Sequence, residues 1–190
     1  MIIMKKEIQS INTNHPDLQV ILENELVKLV PLQAPDFERL YTLASDPLIW
    51  EQHPNKDRYK REVFESFFKG AMESGGAYLI LDQNSEEVVG STRYYDFDSE
   101  KKHVFIGYTF VGRKFWGQGY NPSVKKLMID YAFQFVDQVM FHIGAQNIRS
   151  QKAIANLNAV KVGEEEVAYY GEASKMNFVY QISKAGWSGI

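Results

Sequence analysis

Short apolar segments rich in β-branched and aromatic residues recur between more polar stretches of the chain, and this pattern predicts seven β-strands. Turn residues such as Asp, Asn, Ser and Gly separate many of these segments. The predicted strands are residues 26–32, 77–82, 88–95, 103–111, 139–143, 167–170 and 178–182.

Apolar residues recur at helical spacing in four other segments, at residues 35–45, 60–73, 122–136 and 148–157. Each predicted helix therefore has one apolar stripe to bury, and a sheet face is the natural partner for it. The mixture predicts an α+β fold with a largely antiparallel central sheet flanked by helices. The length of 190 residues fits a single domain, which we expect at residues 21–185 after a polar extension at residues 1–20.

The turn between the strand at 103–111 and the helix at 122–136 has the features of an anion site. Gly117 and Gly119 allow the backbone to approach a bound group, since no Cβ stands in the way. Asn121 suits the N-cap of the following helix, and Pro122 suits its first position. Free amides and the helix dipole at such a terminus favour a phosphate, and the preceding basic pair Arg113–Lys114 adds positive charge.

Two common phosphate-binding motifs do not fit this turn. A dinucleotide fingerprint needs a third glycine three residues after the second, and Pro122 stands there. A nucleotide P-loop needs Gly-Lys-Ser or Gly-Lys-Thr after the spacer, and no such run follows. A pyrophosphate cradle of another kind remains.

The turn resembles motif A (Q/R-x-x-G-x-G/A) of the GNAT superfamily of acyl-CoA-dependent N-acyltransferases. Three segments resemble the RimJ/RimL-like branch, which acetylates the N-termini of ribosomal proteins, and together they span roughly residues 25–182. They read LVKLVPLQAPDFERLYTLASDP, FIGYTFVGRKFWGQGYNPSVKKLMIDYAF and GAQNIRSQKAIANLNAVKVGEE.

The resemblance implies a GNAT-like fold, acetyl-CoA as cofactor and a primary amine as acceptor. It implies that Asn147 and Ser150 lie near the thioester and act in catalysis. Trp50, Tyr94, Tyr108 and His142 are candidates for the acceptor groove. The expected cofactor-binding residues are Phe110, Val111, Arg113, Lys114, Trp116, Gly117, Gln118, Gly119, Tyr120, Asn121, Asn147, Ser150 and Lys152.

The chain departs from the family pattern at several positions. Lys114 occupies the first position of the motif, and Asn158 replaces a glycine whose left-handed conformation asparagine tolerates. Phe105 stands where the branch often has a glutamate, and Ile154 stands where many members have a tyrosine general acid. These two changes favour a weakly basic α-amine or small amine as acceptor, with a rate that climbs towards the acceptor's pKa and then levels off. They also support one alternative, a non-catalytic acyl-CoA sensor or scaffold. A second alternative, an enzyme for longer acyl groups, depends on the size of the residues near the thioester and stays open.

Composition narrows the remaining possibilities. The net charge of −3 argues against nucleic-acid binding, and the absence of cysteine excludes disulfides and thiolate chemistry. His15, His53 and His103 do not fall at metal-ligand spacing, so we expect no metal site. The chain shows neither a signal-peptide pattern nor an apolar run of about 20 residues, so we expect a cytoplasmic protein without membrane contact. We expect it to be a monomer or a homodimer.

Overall fold

The computed structural model describes residues 15–168 and 172–189, which form a mixed sheet of eight strands in the order β1-β2-β3-β4-β5-β6-β8-β7. Only β5 and β6 pair in parallel among these neighbours, so the predicted α+β class with a largely antiparallel sheet is confirmed. The strands are β1 Leu22–Glu23, β2 Val27–Pro31, β3 Ala77–Asp82, β4 Val88–Asp98, β5 His103–Val111, β6 Gln138–Gly144, β7 Val160–Val167 and β8 Lys175–Ser183.

Helices cover both faces of the sheet. The helices α1 (Phe37–Ala44) and α2 (Arg61–Glu73) bury their apolar stripes on one face, together with Leu79 and Phe110 from the strands. The helices α3 (Tyr120–Ala132) and α4 (Ile148–Ala155) pack on the other face, over a second core. Each stripe is buried against a strand surface of the same apolar character, which explains why the helical periodicity predicted these elements well.

The two parallel strands separate part-way along their length. β5 pairs with β6 only from His103 to Phe105, opposite Gln138 to Met140. Beyond this point β5 stays with β4 as far as Val111, whereas β6 stays with β8 as far as Gly144. A wedge therefore opens between β5 and β6 in the middle of the sheet, towards the glycine turn.

A β-bulge shapes the β5 side of this wedge. Tyr108 and Thr109 together oppose the single residue Thr92 of β4, and Tyr108 has a positive φ of 54°. The guanidinium of buried Arg93 lies 3.7 Å from the ring centre of Tyr108 and donates a 2.7 Å hydrogen bond to the Gly70 carbonyl. A positive φ at a tyrosine costs conformational free energy, and the contacts of Arg93 offset this cost in the bulge. An extra residue of this kind bends the strand and changes where the following side chains point.

Several boundaries differ from the sequence-based expectation. β7 lies at Val160–Val167 rather than at 167–170, of which 169 and 170 lie outside the described residues. Its glutamate-rich sequence carries little hydrophobic signal, because β7 is a largely exposed strand at the edge of the described sheet, beside β8. The two-residue strand β1 was not predicted. Helix α3 begins at Tyr120 with Gly119 as its N-cap, so Asn121 and Pro122 both lie inside its first turn.

The polar extension is partly described. Residues 1–14 lie outside the described part of the chain, and the domain limits at 20 and 185 stay predictions. Leu18 packs against the core, and the hydroxyl of Tyr131 donates a 2.7 Å hydrogen bond to the Asp17 carbonyl. The left-handed conformation expected of Asn158 is confirmed by its φ of 59°.

Candidate active site

A cavity of about 540 Å³ runs from the glycine turn along the end of β5 to the start of α4, and we call it the cofactor cavity. The wedge between β5 and β6 opens it, and the segment after α1 closes its far side. It brings together residues that are far apart in sequence. The predicted site residues that line it are Trp50, Phe110, Val111, Trp116, Gly117, Gly119, Tyr120, Asn121, Asn147 and Ser150.

The glycine turn gives the cofactor cavity an anion-binding end. Gly117 and Gly119 have positive φ values of 75° and 84°, which favour glycine over other residues. A Cβ at Gly117 would have no atom within 4 Å, so the space above the turn is open. Since the first amides of α3 have no partner within the helix, they and the helix dipole form a site for a phosphate group.

The basic residues near the turn are arranged differently from the prediction. Arg113 pairs with Asp46 and Lys114 pairs with Glu87, both at the exposed surface. The hydrogen bond from Arg113 also lowers the pKa of the Asp46 carboxyl. Gln118 donates to the Lys114 carbonyl, and Lys152 is exposed on α4. These four predicted cofactor-binding residues, Arg113, Lys114, Gln118 and Lys152, lie outside the cavity lining.

Arg149 of α4 is a basic residue that lines the cavity, and no motif in the sequence marks it. Its guanidinium lies 4.1 Å from the ring centre of Trp116, whose indole N–H donates a 2.8 Å hydrogen bond to the Val111 carbonyl. Stacking on an aromatic ring holds a guanidinium in place without neutralising it. Arg149 also lies 3.8 Å from a carboxylate oxygen of exposed Glu51, so it presents a partly paired guanidinium to the cavity from α4.

The start of α4 forms the other end of the cavity. The side-chain oxygen of Asn147 accepts a 3.1 Å hydrogen bond from the Ser150 amide, which makes Asn147 the N-cap. Both side chains also line the cavity. The structural role of Asn147 as a cap and its predicted place near the cofactor are therefore compatible.

A smaller chamber of about 90 Å³ adjoins this end, and we call it the inner chamber. It shares Asn147, Ser150, Asn121 and Thr109 with the cofactor cavity, and it extends between β5 and β6 towards His142. By volume it has room for several water molecules, and its wall carries polar groups that could bind them. The two spaces form one continuous path through the wedge.

A chain of hydrogen bonds leads from the inner chamber to the surface. The hydroxyl of Tyr95 lies 3.0 Å from Nδ1 of His142, and Nε2 of His142 contacts the half-exposed carboxylate of Glu165. Phe105 stacks on His142 at 4.3 Å between ring centres and holds the imidazole in its orientation. A tyrosine, an imidazole and a carboxylate in series can carry a proton between the chamber and solvent, and we call them the Tyr95–His142–Glu165 relay.

Further titratable groups line the inner chamber, among them Lys125 and His53. Lys125 of α3 is 4% exposed, and its Nζ donates a 2.6 Å hydrogen bond to Oγ1 of Thr109 in the bulge. Burial lowers the pKa of Lys125 to about 7. Burial also lowers the pKa of His53 well below its usual range, and Nη1 of Arg58 lies 3.1 Å from its Nε2.

The four predicted groove residues occupy different places. Tyr108 and His142 line the inner chamber, and Trp50 lines the cofactor cavity while its indole N–H donates to the Ala44 carbonyl at 2.7 Å. The expectation for Tyr94 was wrong: it is 0% exposed in the core, and its hydroxyl donates a 2.5 Å hydrogen bond to the Met128 carbonyl. Adjacent residues of β4 point to opposite faces, so Tyr95 reaches the chamber where Tyr94 does not.

A third space of about 430 Å³, which we call the outer groove, meets the inner chamber from outside. His53, Pro54, Gly144 and Asn147 line both. The outer groove lies between the segment after α1 and the adjacent ends of β6 and β8. A second reactant could therefore reach the chamber without passing through the cofactor cavity.

A family model described as an acetyltransferase (GNAT) domain matches residues 27–160, which include the bulge, the glycine turn and α4. The chain belongs to the GNAT acetyltransferase family. Family membership supports acetyl transfer as the general chemistry of the site and leaves the acceptor open.

Solved structures of GNAT proteins share this fold. A "probable" acetyltransferase of the GNAT family from Chromobacterium violaceum matches with a TM-score of 0.78 at 17% identity, over 100% of this chain and 97% of that one. A GCN5-related N-acetyltransferase from Brucella melitensis gives 0.76 at 17% identity, over 89% and 80%. A ribosomal-protein-S5-alanine acetyltransferase from Vibrio fischeri gives 0.65 at 18% identity, over 89% and 99%. At these identities the likeness shows the fold alone.

Residues 15–168 and 172–189 contain neither a candidate metal centre nor a candidate membrane-spanning helix. Within these ranges no group of three or more His, Cys, Asp or Glu side chains could hold a metal ion. No helix in the same ranges has the length and apolar character needed to cross a membrane.

Proposed function

We propose that the protein transfers the acetyl group of acetyl-CoA to a primary amine, namely the α-amine of a peptide or protein N-terminus or a similarly weakly basic small amine. The observation that carries this proposal is the continuous path from the glycine turn, through the wedge, to Asn147 and Ser150. A RimJ/RimL-like role is the finer part of the proposal. The Vibrio fischeri neighbour, described as acting on a ribosomal protein, supports it by analogy only.

The residues present fit CoA along the whole cavity. The turn at Gly117–Gly119 and the first amides of α3 would hold the pyrophosphate, with Arg149 opposite. The part of β5 from Thr109 to Val111 lines the cavity where β6 has moved away, so it would hold the pantetheine arm. When bound, acetyl-CoA would supply a thioester whose carbonyl carbon accepts the amine.

The acceptor would enter through the outer groove and lose a proton in the inner chamber. A lysine side chain with a pKa of about 10.4 costs roughly 4.6 kcal/mol to neutralise at pH 7, whereas an α-amine with a pKa near 7.8 costs only about 1 kcal/mol. Phe105 stands where the family often has a glutamate, so this position supplies no carboxylate that could accept the proton of a lysine. The Tyr95–His142–Glu165 relay would carry the proton of an α-amine to solvent.

The alternative of a non-catalytic acyl-CoA sensor rests on Phe105 and Ile154, which replace acid–base residues of the family. The relay weakens this alternative, because it gives the chamber a route for protons that does not depend on either position. Family membership likewise does not favour it.

A peptide panel tests the acceptor. We expect thiol release from acetyl-CoA with peptides that have a free N-terminus and no lysine, at a rate that rises from about pH 6 towards about pH 7 as the α-amine loses its proton. Matched peptides with a blocked N-terminus and one internal lysine should react at least about tenfold more slowly. Mass spectrometry of the products locates the acetyl group. Faster reaction of the blocked, lysine-containing peptides would contradict the proposed acceptor, and no transfer to any amine would contradict the enzymatic function.

A further inference from the structure

Lys125 is a buried cation at the wall of the inner chamber that neither the family pattern nor the sequence marked as functional. It follows Asn121 by one helical turn on α3, so both side chains face the wedge. Its Nζ lies 5.9 Å from the ring centre of Phe141 on β6 and donates a hydrogen bond to Thr109 on β5. The ammonium therefore sits between the two strands where they separate.

The hydrogen bonding of Lys125 is incomplete. An ammonium has three donors, and within the described residues its one hydrogen-bond partner is Oγ1 of Thr109, with no carboxylate at ion-pair distance. Oγ1 of Thr109 lies 2.8 Å from Oγ1 of Thr92, which fixes the threonine in turn. A buried charge without a counter-ion is unfavourable unless a bound group completes its contacts.

Helix α4 places an apolar side chain in the same chamber. Ile154 of α4 is 3% exposed and stands where many family members have a tyrosine proton donor. Acyl transfer from a thioester expels a thiolate, which needs a proton or a cation in a chamber removed from bulk water. Ser150 also lines the chamber, but its hydroxyl is a far weaker acid than an ammonium.

We propose that Lys125 is the catalytic proton donor to the leaving thiolate, in place of the tyrosine that Ile154 replaces. The inference rests on the proposed function. The amine nitrogen bonds to the carbonyl carbon, the carbon–sulfur bond breaks, and the sulfur takes a proton from the Lys125 ammonium. The acceptor nitrogen releases one proton, which restores the ammonium directly or through the Tyr95–His142–Glu165 relay.

The surroundings of Lys125 suit this role. Desolvation lowers its pKa to about 7, close to the pH at which a general acid is most effective. The titratable groups that face the chamber are His53 from the segment after α1, Tyr95 of β4, Tyr108 of β5 and His142 of β6. Helix α4 contributes Ser150, Ala153 and Ile154, none of which titrates.

The first test compares Lys125→Met with Lys126→Met, its exposed neighbour that pairs with Asp130. With acetyl-CoA and a peptide that has a free N-terminus, Lys125→Met should lower kcat at least about a hundredfold and leave KM for acetyl-CoA within about threefold. Lys126→Met should match the wild type. Because the pKa of Lys125 is about 7, wild-type kcat should decline above about pH 7.5 instead of levelling off, and Lys125→Met should lack this decline.

The second test needs no turnover. An ammonium beside a thiol lowers the thiol pKa, so the thiol of bound CoA should ionise at a pH at least about one unit lower in the wild type than in Lys125→Met. Ultraviolet absorbance of the thiolate measures this, with desulfo-CoA as the blank. Equal thiol pKa values, or a kcat of Lys125→Met within threefold of the wild type, would overturn the proposal.

The outcomes separate this inference from the proposed function. A wild type that acetylates no amine contradicts the function and the inference together. An active wild type whose rate stays level from pH 8 to 9.5 overturns the role of Lys125 alone, even if Lys125→Met does not fold.

Discussion

Gly119→Asp should bind CoA at least about a hundredfold more weakly than Gly119→Asn. Asparagine and aspartate both tolerate the left-handed conformation that Gly119 adopts at a φ of 84°, and they have nearly the same size. A Cβ at Gly119 would meet Leu26 at an ordinary 3.7 Å, so neither side chain is excluded by space. The two variants therefore differ mainly in one negative charge at the N-cap of α3.

That charge would lie where the pyrophosphate should bind. Two like charges about 4 Å apart repel by roughly 4 kcal/mol near a protein surface, which exceeds the 2.7 kcal/mol of a hundredfold change. Calorimetric titration of both variants with CoA at low and high salt measures the difference in affinity. Salt should reduce this difference, because it screens exposed charges. Equal affinities for the two variants would mean that the phosphate site lies elsewhere.

Lys125→Met should stabilise the fold at pH 7 by roughly 2–4 kcal/mol. The pKa of Lys125 is about 7 in the folded protein and about 10.4 in the unfolded chain. Between these values the unfolded state binds the additional proton, so the free energy of unfolding of the wild type rises with pH across this window. The full difference amounts to about 5 kcal/mol, from which roughly 1 kcal/mol is subtracted for the lost hydrogen bond to Thr109.

Denaturant unfolding at pH 7 and at pH 10 checks this expectation. The stability advantage of the methionine variant should be large at pH 7 and should nearly vanish at pH 10. At pH 10 the lysine is neutral in the folded state, and the solution pH is within half a unit of its unfolded-state pKa, so only about 0.7 kcal/mol of the protonation difference is left. Other groups that titrate in this range are present in both proteins, so the difference between them isolates Lys125. A variant less stable than the wild type at pH 7 would show that the lysine is not buried as a costly cation.

The sequence predicted the fold well because most strands and helices each bury one apolar face. The helix at 60–73 and the strand at 103–111 match α2 and β5 closely, since their periodicity comes from contact with the core. The edge strand β7 was misplaced because its exposed glutamates carry no such pattern. Local signals were also strong at the glycine turn, where the conformation is decided by the glycines themselves.

The site was only partly predictable, since its key contacts depend on strand register. The β-bulge at Tyr108 turns Thr109 towards Lys125, and no local pattern in the sequence of β5 predicts the extra residue that forms this bulge. His142 was identified as a groove residue, but Glu165 reaches it only through the pairing of β7 on β8 beside β6. Arg113 and Lys114 look like phosphate ligands in the sequence, whereas acidic partners from distant segments hold them outside the cavity.

Thermal unfolding with CoA tests most directly whether the cofactor cavity binds CoA. In protein freed of bound ligand, CoA at a hundred times its dissociation constant should add about 2.7 kcal/mol to the free energy of unfolding. For a chain of this length that corresponds to a rise in Tm of roughly 5–10 °C. NAD and ATP at the same concentration should change the Tm little. A Tm that CoA leaves unchanged, or that NAD or ATP raises as much as CoA, would contradict the account.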